Sequence, residues 1–168
     1  MNTFHRDVEA AIPALRRYAR ALTRDAEIAD DLVQDTLVRA LRSEHLFHGG
    51  EVRSWLYTIL TNLNKNRRRS LARRPQFMQL TENNPDASGT EAEGRDIEKA
   101  LATLVEEQRS VLLLVMLEGM SYREVADTLG VPIGTVMSRL ARARQALRAA
   151  SRRPATRASR SASTSPWR

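Results

Sequence analysis

Three observations predict an all-α fold for this chain. Apolar residues recur at helical spacings of three and four through most of its length, no stretch alternates apolar and polar residues as a half-buried strand would, and its clearest local signals are helix caps. At 168 residues and 42% hydrophobic content the chain can bury one medium core or two small ones. A polar break with prolines and glycines between 71 and 95 favours two. The expected organisation is a helical domain over 1–70, a flexible linker over 71–95, a second helical domain over 96–150 containing a helix-turn-helix, and a disordered basic tail over 151–168.

In chain order, Leu15, Tyr18, Ala19 and Leu22 make the apolar stripe of a first helix. Pro13 is expected near its start, where a residue has no intrahelical N–H bond to lose, and Thr23-Arg24-Asp25 ends it. A second helix is predicted over about 27–43, with Val33, Leu37, Ala40 and Leu41 inward. Asp30, Asp31 and Asp35 lie toward its beginning, where the helix dipole favours acids. The segment SEHLFHGG, 43–50, interrupts the pattern, and Val52, Trp55, Leu56, Ile59, Leu60 and Leu63 then define a third helix. After the acidic linker, Ile97, Leu101, Leu104 and Val105 resume the periodicity, and the apolar run 111–117 predicts a central buried helix.

Residues 121–148 carry the sharpest local signal. Ser121 and Glu124 make a capping box, Tyr122, Val125, Ala126 and Leu129 a buried face, and Gly130 stands where a left-handed cap wants glycine. After Val131-Pro132 a further helix runs from about Gly134, with Val136, Leu140, Ala143 and Leu147 inward and Thr135, Ser138, Arg139 and Arg142 on the outer side. Polar residues at the start of a second helix, followed by cations, suit base edges and phosphates in a major groove.

The third helix has its own polar stripe: Asn62, Lys65, Asn66 and Arg69 fall within about 100° of one another, with Trp55 at its edge. From 65 to 74 there are six cations and no acid. Amides, cations and an aromatic together suit single-stranded or opened DNA. Overall, 27 Lys+Arg against 20 Asp+Glu give +7, which favours a polyanionic partner. The absence of cysteine excludes disulfides and thiolate metal sites, and no run reaches the length of a membrane span, so a cytoplasmic protein is expected. A nuclease-like metal cluster at Asp30, Asp31 and Asp35 is disfavoured because neighbouring carboxylates on a helix diverge, and His45 and His48 lack a third ligand. A freestanding helix-turn-helix regulator would need a dimerisation face or ligand pocket, and neither is evident.

Three blocks in order give the chain a family resemblance. Asp30-Asp31-Leu32-Val33-Gln34-Asp35-Thr36, then Trp55-Leu56 with Ile59, Asn62, Lys65 and Asn66, then GVPIGTVMSRLARAR over 130–144, resemble the extracytoplasmic-function sigma factors, the small sigma subunits of bacterial RNA polymerase. With their supporting helices the blocks cover about residues 8–150. The resemblance implies docking on core RNA polymerase through Asp30, Asp31, Gln34 and Asp35. It implies minus-ten DNA contacts by His48, Trp55, Asn62, Lys65, Asn66 and Arg69, with the loop 45–50 and Asn62 holding an extruded base, and minus-thirty-five contacts by Arg123, Thr135, Ser138, Arg139 and Arg142. It further implies promoter-specific initiation in a stress or environmental response and an inhibitory anti-sigma factor as partner. No catalytic residue, metal, cofactor, membrane insertion or small-molecule substrate is expected.

Overall fold

The computed structural model describes residues 3–74 and 92–152, apart from the side chains of 92–95. Among the described residues every regular element is helical: α1 (Thr3–Thr23), α2 (Ala26–Arg42), a 3-10 turn (Glu44–Leu46), α3 (Val52–Ala72), α4 (Ala92–Ala102), α5 (Glu106–Met116), α6 (Tyr122–Leu129) and α7 (Ile133–Ser151). Most of the expected linker and the tail from 153 lie outside these residues. At the linker's edges, Leu71 and Ala72 complete α3, and α4 begins at Ala92, so both helices reach further than composition suggested.

Helix α1 is longer than its sequence pattern indicated. Phe4, Val8 and Ala11 extend the buried stripe of Leu15, Tyr18, Ala19 and Leu22 back by three turns, so Pro13 is an interior residue rather than a first-turn one. The apolar face, continuous on both sides of the proline, outweighs the loss of one backbone bond. Arg24 then takes a left-handed backbone with φ 57°, and Asp25 caps α2 by accepting from the Ile28 N–H at 2.9 Å. In α2 the buried side is Ala29, Leu32, Val33, Thr36 and Ala40; Leu41, expected inward, is 46% exposed because it lies one residue round from the Ala40 line.

In the C-terminal half, Val111, Leu112, Leu113 and Leu114 are buried as expected. Ile97 and Val105 are not: Val105 is spent as the extended residue before α5, and both are more than half exposed. The capping box forms, with Ser121 N–H donating to Glu124 at 2.7 Å and the Glu124 N–H to the Ser121 hydroxyl at 3.3 Å. Gly130 has φ 63°, and the bonds Gly130 N to Asp127 O and Val131 N to Ala126 O complete a Schellman motif. Helix α7 begins immediately after Pro132.

The two helical modules pack on each other around one continuous core, which sequence patterning did not anticipate. Helices α1 and α5 lie antiparallel: Arg109 donates to Leu22 O at 2.7 Å, the Tyr18 and Ser110 hydroxyls meet at 2.9 Å, and Arg17 pairs with Glu118 at 3.3 Å. Arg109 also donates to Leu101 O and Leu104 O, so one buried cation satisfies carbonyls at the ends of α1 and α4. Glu118, its side chain fully buried, accepts from Tyr57 at 2.6 Å and from Arg53, whose Nη2 also donates to the Glu118 carbonyl at 3.2 Å. Burial pushes the Tyr18 and Tyr57 hydroxyls well above the ordinary tyrosine range, and beside Glu118 Tyr57 remains a neutral donor.

Two stability outcomes follow from these contacts. Ser121→Ala removes the cap of α6 and is expected to cost about 1 kcal/mol, read as a fall of roughly 2–4 °C in thermal melting. Arg109→Met keeps the packing stem but strands three buried carbonyls, and is expected to cost about 3–5 kcal/mol in urea unfolding; a loss below about 1 kcal/mol would contradict the role given to this cation.

Candidate nucleic-acid interface

The helix-turn-helix is positioned by what α7 buries. Val136, Leu140 and Ala143 enter the core shared with α5, which leaves Ser138 and Arg142 exposed and Thr135 and Arg139 half-buried at the margins. Ser138 donates to the Thr135 carbonyl at 3.1 Å, so its hydroxyl is tied to its own helix. Arg123 is exposed on the first turn of α6. Gly130 lets the chain reverse tightly enough for α6 to brace α7 from behind.

On α3 the expected polar stripe is exposed, and the fold divides it between two surfaces. Asn62 and Lys65 line an open cleft between α3 and the C-terminal module, facing Glu107 and Arg139. Asn66 and Arg69 line a second, shallower depression with Ser70 and Arg73. Trp55 is half-buried in an aromatic group, its ring 5.9 Å from Phe4 and 5.4 Å from Phe47. It therefore packs the segment 44–50 against α1 and α3 as well as bordering the stripe. His48 is exposed in that segment, ahead of Gly49 and Gly50, whose φ values of 99° and 96° make the chain turn where a side chain would strain it. Trp55 and Asn62 share a face of α3 but lie roughly 10 Å apart along its axis, so the loop and Asn62 occupy different ends of the stripe.

On α2, Asp31, Gln34 and Asp35 are exposed together, next to Val38 at 42% exposure. Asp30 is turned toward α1, where it accepts from Arg20 at 3.3 Å. Among the described residues no group of three or more His, Cys, Asp or Glu could hold a metal ion, and no helix is long and apolar enough to cross a membrane.

Sequence reasoning passed over the residues that join the modules: Arg53, Tyr57, Asn64, Glu106, Glu107, Arg109 and Glu118. One signal was present. Glu118 is an acid inside the apolar stretch VLLLVMLEGM, and a charge in such surroundings needs partners.

Comparison with known proteins divides the chain in the same way. Residues 8–61 match the family described as the Sigma2 domain of PhyR, and residues 94–147 match Sigma-70, region 4. The ECF RNA polymerase sigma factor EcfG of Rhodopseudomonas palustris is 38% identical over 148 residues, covering 85% of this chain and 82% of the relative. The ECF RNA polymerase sigma factor SigL of Mycobacterium tuberculosis is 36% identical over 150 residues, with 84% of each covered. Among solved structures, the sigma factor RpoE of Bartonella quintana, in complex with the anti-sigma factor NepR, superposes with a TM-score of 0.77 at 32% identity, covering 92% of this chain and all of that one.

Proposed function

The chain belongs to the extracytoplasmic-function sigma factors, and on that premise we propose a division of labour among its surfaces. As a sigma factor it binds core RNA polymerase and directs initiation at specific promoters, under the control of an anti-sigma factor. The surface of Asp31, Gln34 and Asp35 docks on polymerase, with Asp30 at its edge. The stripe Asn62, Lys65, Asn66 and Arg69, bordered by Trp55 and His48, holds the opened minus-ten element. Thr135, Ser138, Arg139 and Arg142 on α7, with Arg123 on α6, read the minus-thirty-five duplex.

The observation that carries this reading is the capped helix-turn-helix. Its second helix buries one face and leaves hydroxyl and guanidinium groups on the other, on a chain whose other module exposes a stripe of amides and cations. Phosphate contacts supply affinity and position, while base edges supply sequence. The protein acts by binding rather than by catalysis, in the cytoplasm where its polymerase is, and uses no cofactor. The region 1–70 serves polymerase docking and the minus-ten element, 96–150 the minus-thirty-five element.

Two sets of variants test the division. Arg139→Ala and Arg142→Ala are expected to weaken promoter binding by the holoenzyme and to flatten its salt dependence by about 0.9 per lost phosphate contact, while co-elution with core polymerase is unchanged. Failure of either to bind polymerase would contradict the assignment of α7. Asp31→Lys and Asp35→Lys are expected to do the converse: charge reversal at exposed positions weakens polymerase association in a size-exclusion assay and leaves the fold intact. An unchanged polymerase affinity in both would overturn the docking assignment.

A further inference from the structure

We propose that the closed packing of the two modules is a self-occluded form of the protein, in which the acidic first turn of α5 stands in for DNA phosphate against the cations of both reading helices. The inference rests on the reading of α3 and α7 as DNA-binding helices. Arg68 on α3 offers its guanidinium to two carboxylates at once, Nε to Glu106 at 3.3 Å and Nη1 to Glu107 at 2.9 Å, as it would to phosphate oxygens. Asn64, on the same helix, donates its amide to the other oxygen of Glu106. Across the cleft stands Arg139 of α7, and Asn62 and Lys65 line the same space. Glu107 thus lies between a cation of one reading helix and a cation of the other. The Arg68 hydrogen bond foremost, with the Arg139 charge adding to it, holds the Glu107 carboxyl below the usual carboxylate range against the opposing effect of its partial burial.

DNA laid along Asn62 and Lys65 has to displace these carboxylates and part α3 from α5 and α7. The fastening on the other side of the contact suits a joint that opens. Glu118 is held by Arg17, Arg53 and Tyr57, and Arg53 keeps a buried Nε without a hydrogen-bond partner. Separation returns these charges to water, and their regained hydration offsets part of the lost attraction, which a purely apolar joint would not allow. Closed and open forms then differ by the small margin that a competing polyanion or polymerase surface can overcome.

The test uses the full chain without polymerase and, as probe, a short fluorescein-labelled single-stranded DNA. Glu106→Gln with Glu107→Gln keeps side-chain size and a hydrogen-bond acceptor while removing both charges. Glu9→Gln with Glu27→Gln, on exposed faces of α1 and α2, alters net charge equally outside the cleft. The cleft pair is expected to bind the probe on the order of tenfold more tightly than wild type, as a largely closed population opens, and the control pair to gain far less. Glu107→Gln alone, at a side chain 46% exposed where folding is not at stake, is expected to move the same way by a smaller factor. Equal gains in cleft and control pairs, or no gain in the cleft pair, would overturn the proposal. Neither result touches the sigma-factor reading, which fails instead if wild type does not associate with core polymerase.

Discussion

Helix α5 meets the N-terminal module with a buried arginine in its first turn and a buried glutamate just beyond its last, and the placement of every other surface depends on those two charges being matched. Arg109 satisfies the terminal carbonyls of α1 and α4 at one end; Glu118 gathers Arg17, Arg53 and Tyr57 at the other. Between them the Tyr18 and Ser110 hydroxyls bridge the helices. Each buried charge carries a large desolvation cost, which is recovered only when all partners are in place. The pairs therefore contribute less to net stability than to selecting one alignment of α1 against α5. That alignment sets where α3 stands relative to α7.

Once α5 is fixed, the remaining geometry follows from ordinary packing. Helix α7 covers α5 with Val136, Leu140 and Ala143, and α6 braces it through the Schellman turn at Gly130. Helix α3 buries Leu56, Tyr57 and Leu60 and turns Asn62 and Lys65 toward the cleft. The two DNA-reading faces of a sigma factor thereby come to border one space, with Glu106 and Glu107 inside it. A promoter needs these faces apart, one on an opened strand and one on a duplex, so the arrangement described is suited to the free or inhibited protein. Control by an anti-sigma factor then needs to add only enough contact to keep the modules together, and polymerase enough to separate them.

What the sequence disclosed was local. The box of Ser121 and Glu124, the left-handed Gly130 and the stripes of α3 and α7 are read from neighbours within one or two turns, and their physics is complete at that range. Exposed site residues were legible for the same reason: Asn62, Arg69, Ser138 and Arg142 lie opposite the apolar positions that define each helix. Pro13 misled because its local cost was weighed without the apolar residues before it, and Ile97 and Val105 because periodicity does not say whether a partner helix is present. The contacts between modules were not legible at all. Tyr18 with Ser110 and Tyr57 with Glu118 are separated by 92 and 61 positions, and pairing at that range depends on topology that a one-dimensional pattern does not encode.

The central claim, that the modules are closed in the free chain and parted at work, is tested most directly by a distance. The chain has no cysteine, so Ser70→Cys on α3 and Ala141→Cys on α7 give two unique labelling points, each two residues from Arg68 or Arg139 at the cleft. Spin-label or fluorescence transfer measurements on the free protein should give one short-distance population. The same pair bound to core polymerase and promoter DNA should give a longer one. The same distance in both states, or a long and broad distribution in the free chain, would contradict the account.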